Sequence, residues 1–144
     1  FPTHYIDSDG TQKAFGTGEK IDVELSSTDV YVRPWNKERT WQNILKIKQE
    51  EFKHDPSNHK ADFYTGVDLC YISNGNHSIN AGVYLKKGTI KANVIHIEQM
   101  FEHYDTDGQD WIELKTGRRF ALEPDETPAI LYALYRMKYE LECR

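Results

Sequence analysis

The densest run of residues able to do chemistry is Ser73-Asn-Gly-Asn-His-Ser-Ile-Asn-Ala-Gly82, set between two apolar stretches. Packing alone does not call for Asn74, Asn76, His77, Ser78 and Asn80 in seven positions. Asn74-Gly75 is a strong turn pair, so the chain passes from a strand through a glycine turn directly into a helix N-terminus. The first turn of a helix leaves main-chain N–H groups unpaired and carries about half a positive charge, which suits a phosphate or carboxylate. Gly75 removes a side chain that would obstruct the ligand, Asn74 and Asn76 flank it, and His77 and Ser78 add a titratable donor and a hydroxyl. The plain alternative is a favourable turn, a structural cap at Ser78 and a satisfied or surface histidine.

Other groups are weaker. His54, Asn58, His59 and Asp62 surround Pro56 without the spacing of a closed zinc site, and His59, next to an apolar strand, is the one placed to act as a general base or ligand. Asp105, Asp107 and Asp110 resemble a calcium loop, but Asp110 occupies the place where that loop needs glycine, so an acidic turn is the reading. Cys70 and Cys143 form no C-x-x-C pair, and Cys70 reads as a buried thiol. Trp35, after Pro34, reads as a core plug, with stacking on a base as the other use. The formal net charge of −5 gives no general grip on nucleic acid, and Lys86-Lys87 and Arg118-Arg119 read as solvated surface. No apolar run reaches the roughly 20 residues that cross a bilayer. The expectation is therefore no membrane and a cytoplasmic location, with Phe1 rather than Met indicating a trimmed start.

The elements that must position these residues follow from periodicity. Residues 1–20 lack a period and read as an irregular arm, pinned by Phe1, Tyr5, Ile6 and Phe15; residues 21–144 read as one α+β domain. Alternation predicts strands at 21–25 and 29–33. Trp41, Ile44, Leu45, Lys48 and Phe52 predict one apolar face of a helix over 38–53. Residues 61–73 read as strand with a bend or bulge at Gly66, and a short helix after Asn74-Gly75 ends at Gly88. A central strand over 89–97, helical turns at 98–104 and strands at 111–114 and 119–122 come next. Thr127 and Pro128 open a final helix with Ala129, Leu131, Leu134, Tyr135, Lys138 and Leu141 on one broad packed face that Ile130 and Tyr132 widen.

A leading strand and polar loop with an arginine in Val30-Tyr-Val-Arg-Pro-Trp-Asn-Lys-Glu-Arg39, a helix, the strand Asp68-Leu-Cys-Tyr-Ile-Ser73 and then Gly75-Asn-His-Ser-Ile-Asn-Ala81 resemble the ParB/sulfiredoxin superfamily over about Val30 to Ile97. That family carries G-x-x-R-x-x-A at this turn. Gly75 and Ala81 match, and Ser78 stands in place of the arginine. The sulfiredoxin turn resembles Gly-Cys-His-Arg, so His77 matches in type while Asn76 replaces the cysteine, which argues against sulfinic-acid reductase chemistry. The resemblance implies a mixed sheet with this core at about 30–97, a C-terminal helix outside it, and phosphates held at the glycine turn, with Arg39 or Lys86 standing in for the lost arginine.

The resulting expectation is binding of a phosphate-bearing ligand, a nucleotide or nucleic acid, by Arg39, Asn74, Gly75, Asn76 and Ser78. If turnover occurs, it is phosphoryl transfer or nuclease chemistry with His77 or His59 as acid or base and a divalent ion such as Mg²⁺. The alternative is a non-catalytic protein-interaction module of the same fold.

Overall fold

The computed structural model describes residues 1–122 and 125–143. The chain opens with a hairpin of β1 (His4–Ile6) and β2 (Gln12–Ala14), followed by β3 (Lys20–Glu24), β4 (Asp29–Tyr31), α1 (Lys37–Gln49), β5 (Lys60–Thr65) and β6 (Leu69–Asn74). Next come α2 (Asn76–Leu85), β7 (Thr89–His96), a 3-10 turn (Ile97–Met100), β8 (Tyr104–Thr106), β9 (Trp111–Glu113), β10 (Arg119–Phe120) and α3 (Thr127–Glu142). The class is α+β, with a mixed sheet and a C-terminal helix. The chain divides into two compact units, one of residues 17–95 and one of residues 1–16 with 96–144. No described helix is long and apolar enough to cross a membrane.

The unit of residues 17–95 is built on a five-stranded sheet in the order β3-β7-β5-β6-β4. β4 runs parallel to β6, whereas β5–β6 and β3–β7 are antiparallel. Gly66 (φ +90°) and Asp68 (φ +50°) turn β5 into β6, at the bend expected there. β7 is interior, with β5 at the centre. Ile90, Ala92 and Val94 are buried while Lys91 and Asn93 are exposed, the alternation of a sheet with one packed face. That face and Ile79 of α2 enclose a core that includes Val23, Leu25, Cys70 and Ile72. Each large apolar side chain fully buried in it contributes about 1.5–3 kcal/mol.

Two expectations for α1 are overturned. The helix ends at Gln49, and Phe52 leaves it to lie against Gly82 and Gly88, where an added Cβ would come within 3.1 Å and 2.4 Å of the ring. Trp41 and Leu45, expected to face inward, are 58% and 43% exposed, and Ile47 is the residue of α1 that is buried. The less exposed residues of α1 are Thr40, Asn43, Ile44 and Ile47, so the packed face is rotated from the expected one, keeps Ile44 and is half polar.

In the other unit, the expected irregular arm is a hairpin. Its strands are short and mostly exposed, so burial imposes no alternation that a sequence could display. The Asp7 carboxylate closes the turn by accepting the N–H groups of Asp9 (3.0 Å) and Thr11 (3.2 Å). Phe1 and Phe15 are buried, Trp111 packs against Tyr132 at 4.9 Å, and the Tyr132 hydroxyl donates to the Tyr104 carbonyl at 2.7 Å. α3 starts at Thr127 as expected, but it buries Pro128, Ala129 and Tyr132 rather than Leu134 and Leu141. Ile130, Leu134, Met137 and Leu141 are 45%, 59%, 61% and 72% exposed. The acidic residues 105–110 form a turn, in which Asp107 accepts the Gln109 and Asp110 N–H groups and pairs with Arg119.

Candidate functional site

β6 runs directly into α2 through Gly75, the residue that must take φ +84° to reverse the chain. The first intrahelical bond is Ile79 N–H to the Gly75 carbonyl (3.0 Å), and no side chain caps the helix. The main-chain N–H groups of Asn76, His77 and Ser78 therefore form the helix's electropositive end. This end lines a cavity of about 600 Å³ with Arg39, Asn43 and Lys46 of α1, Trp35, and residues 50–53, 55, 58 and 59 of the α1–β5 connection. Arg39, Asn74, Gly75, Asn76, Ser78, His59 and His77, all expected at the site, line it together.

Their roles differ from the expected ones in several respects. An added Cβ on Gly75 would stand 2.6 Å from Cδ2 of His59 and 3.3 Å from the Asn58 carbonyl oxygen. The glycine is thus required by the packed connection, not by clearance for a ligand. Asn76 is buried and its Oδ1 accepts the Arg33 N–H at 2.9 Å, which fixes the loop after β4 to the start of α2. Asn74 donates weakly to Asn58 Oδ1 at 3.4 Å. Lys86 caps the opposite end of α2, about 15 Å away along ten helical residues, so it does not stand in for an arginine at the turn.

His59 is 6% exposed and both ring nitrogens are engaged. Nδ1 accepts the Asp55 N–H at 3.0 Å, so in the neutral ring Nε2 carries the proton and donates to Ser78 Oγ at 2.8 Å. The Ser78 hydroxyl passes its own proton to the Gly75 carbonyl at 3.1 Å. Burial, and then the charge of His54, push the His59 pKa down, against a smaller upward pull from Asp55. The neutral ring has no free lone pair for general-base work, and Ser78 is not poised as a nucleophile. Together they tie the α1–β5 connection to α2.

His77 is also 6% exposed. Its Nδ1 lies 3.0 Å from Thr40 Oγ1, and its Nε2 is buried with no hydrogen-bond partner. Burial, and secondarily the Arg39 guanidinium, hold its pKa below the usual imidazole value. The Trp35 indole, 70% exposed and so not the core plug that was expected, stands edge-on to the imidazole at 4.3 Å.

The charged lining is mixed, with Arg39, Lys46 and Lys53 against Glu50, Glu51 and Asp55. Arg39 directly precedes the residue that binds His77, whereas the acidic three lie in or beside the connection that carries His59. No group of three metal-ligating side chains is assembled among the described residues, and Asp62 is drawn to Asn93 at 2.9 Å instead. Sequence reasoning missed Thr40, Asn43 and Lys46. Their signal was available: they recur with Arg39 and Ile47 at helical spacing, opposite the exposed Trp41 and Leu45.

No curated protein and no solved structure matches the chain. The family of unknown function DUF6710 matches residues 4–144, and the protein belongs to that family.

Proposed function

We propose that the cavity binds a phosphate-bearing ligand of mononucleotide size, with the phosphate at the N-terminus of α2 beside Arg39. The observation that carries this reading is that an uncapped helix N-terminus and Arg39 line one concavity, with His77, whose Nε2 is buried and unpaired, among the residues beside them. Main-chain N–H groups and a guanidinium are the usual donors to phosphate. A volume of about 600 Å³ falls within the range of small-molecule sites, and the net charge of −5 disfavours a long nucleic-acid track. The exposed Trp35 supplies an aromatic face on which a base could stack. The ParB/sulfiredoxin resemblance supports the same placement, since Gly75 opens α2 and Ala81 is wholly buried within it.

If the site turns its ligand over, His77 is the acid or base, because His59 is committed to Asp55 and Ser78. Calorimetric titration of the chain with ATP, with and without Mg²⁺, tests the reading. Saturable binding that weakens at least tenfold in Arg39→Ala supports it, and heat changes indistinguishable from dilution overturn it.

The alternative, a protein-interaction module, is favoured by the exposed stripe Ile130, Leu134, Met137 and Leu141, whose 4-3-4 spacing is that of a helix-pairing seam. A partner complex that survives Arg39→Ala with His77→Ala but is lost in Leu134→Glu would select it.

A further inference from the structure

We infer that Nε2 of His77 is a hydrogen-bond acceptor that reads the ligand, selecting one with a hydroxyl donor close to its phosphate, as in a sugar phosphate or nucleotide ribose. This rests on the phosphate-site reading and adds the chemistry that the second half of the ligand must have.

The position of one proton decides what Nε2 can do. The Thr40 hydroxyl lies 3.0 Å from the Asn36 carbonyl oxygen and 3.0 Å from His77 Nδ1. If the hydroxyl donated to Nδ1, the neutral ring would carry its proton on Nε2, leaving a buried orphan N–H. If instead Nδ1–H donates to Thr40, the hydroxyl donates onward to Asn36 and both bonds form. The second arrangement makes one more hydrogen bond, and it leaves an unpaired acceptor, which buried sites tolerate more readily than an unpaired donor. Protonating both nitrogens is opposed by burial and by Arg39. His77 in the unliganded chain is therefore the Nδ1–H tautomer, with a bare lone pair on a buried Nε2.

A bare lone pair repels an unprotonated phosphate oxygen, so Nε2 does not contact the phosphate itself. It lies on the same residue whose main-chain N–H belongs to the first turn of α2. Anion and hydroxyl must consequently sit within the reach of one histidine side chain. Inorganic phosphate satisfies half of this site, and ribose 5-phosphate satisfies both halves. The Trp35 indole, packed against the same imidazole at 4.3 Å and itself 70% exposed, is the neighbour on this side of the ring.

The experiment titrates wild type, His77→Asn and His77→Gln with inorganic phosphate and with ribose 5-phosphate. Asparagine keeps a donor where Nδ1–H meets Thr40 and lacks the distal acceptor; glutamine can place its amide oxygen near the Nε2 position. Ribose 5-phosphate should bind wild type about tenfold more tightly than phosphate does, lose about tenfold in His77→Asn, and stay within threefold in His77→Gln, the scale of one hydrogen bond. The quantity read is the ratio of ribose 5-phosphate to phosphate affinity within each protein, so that any general change at the start of α2 cancels. Phosphate binding with no preference for the sugar, or no loss in His77→Asn, overturns the acceptor role and leaves the phosphate site standing. Failure of both ligands to bind wild type overturns both. Independently of any ligand, nitrogen-15 spectra of the free protein should show His77 as the Nδ1–H tautomer, and an Nε2–H tautomer overturns the inference.

Discussion

Replacing Gly75 by alanine separates the packing role of this residue from any role in binding. At φ +84° an L-residue is in the left-handed region, which costs about 1–2 kcal/mol. The new methyl would also stand 2.6 Å from His59 Cδ2, on a ring pinned at both nitrogens, so the connection must shift. Overpacking of this kind costs a further ~1–3 kcal/mol. Reduced freedom of the unfolded chain returns about 0.4–1 kcal/mol. The net expectation is a loss of about 1–5 kcal/mol, centred near 3, in urea unfolding followed by circular dichroism. Gly18→Ala is the control in the same unit, because Gly18 has φ +79° and nothing within 4 Å of an added Cβ. It should lose only the conformational part, about 1 kcal/mol. Equal losses at the two positions would refute the claim that the His59 connection, rather than the backbone angle alone, demands glycine at position 75.

Four further outcomes follow from the same geometry. Ser78→Ala leaves the buried His59 Nε2–H without its acceptor and should cost about 1–3 kcal/mol in thermal or urea unfolding, whereas a neutral result would dissolve the latch. Both buried histidines have folded pKa values below the ordinary 6.5, so the unfolded chain binds protons first as the pH falls. Their contribution is complete above 6.5 and is lost on acidification through the folded values, so stability should decline from pH 7.5 towards 5, less steeply in His59→Gln; a flat profile contradicts this. Cys70 is fully buried with its thiol pushed up to about 12, and Cys143 is exposed, so one thiol per native chain should react with a disulfide reagent and two in denaturant. Because Ile47 is the buried residue of α1, its amides should exchange hydrogen faster than those of β7 and slow when ribose 5-phosphate bridges Arg39 and α2; equal exchange in α1 and β7 argues against this.

Much of the frame was legible because local rules and tertiary packing agreed. Asn74-Gly75 marked the turn into α2, Gly66 marked the β5–β6 bend, and Thr127-Pro128 marked the start of α3. Legibility failed where nothing is buried to impose a pattern, as in β1 and β2, and where the pattern misleads, as in α1 and α3. α3 is apolar on nearly every side, so periodicity drew a face broad enough to hold the buried Ala129 and Tyr132 together with Ile130, Leu134 and Leu141, which are exposed. The α1 error is of another kind. Its apolar Trp41 and Leu45 face solvent, while Arg39, Thr40, Asn43 and Lys46 are turned towards α2 and the cavity.

A helix that places Thr40 and Asn43 beside Ile44 and Ile47 on its less exposed face gives up apolar burial that Trp41 and Leu45 could have supplied. Such a choice is stable only if the polar groups find partners, and these two do: Thr40 bonds Asn36 and His77, and Asn43 donates to the Arg39 carbonyl. The chain of partners stops at His77 Nε2. His59 shows what completion looks like, since a main-chain donor on one nitrogen and a hydroxyl on the other make it inert. His59 and His77, both buried and both lining the cavity, thus differ in whether the protein itself supplies the last hydrogen bond, and of the two it is His77 that has an acceptor to spare.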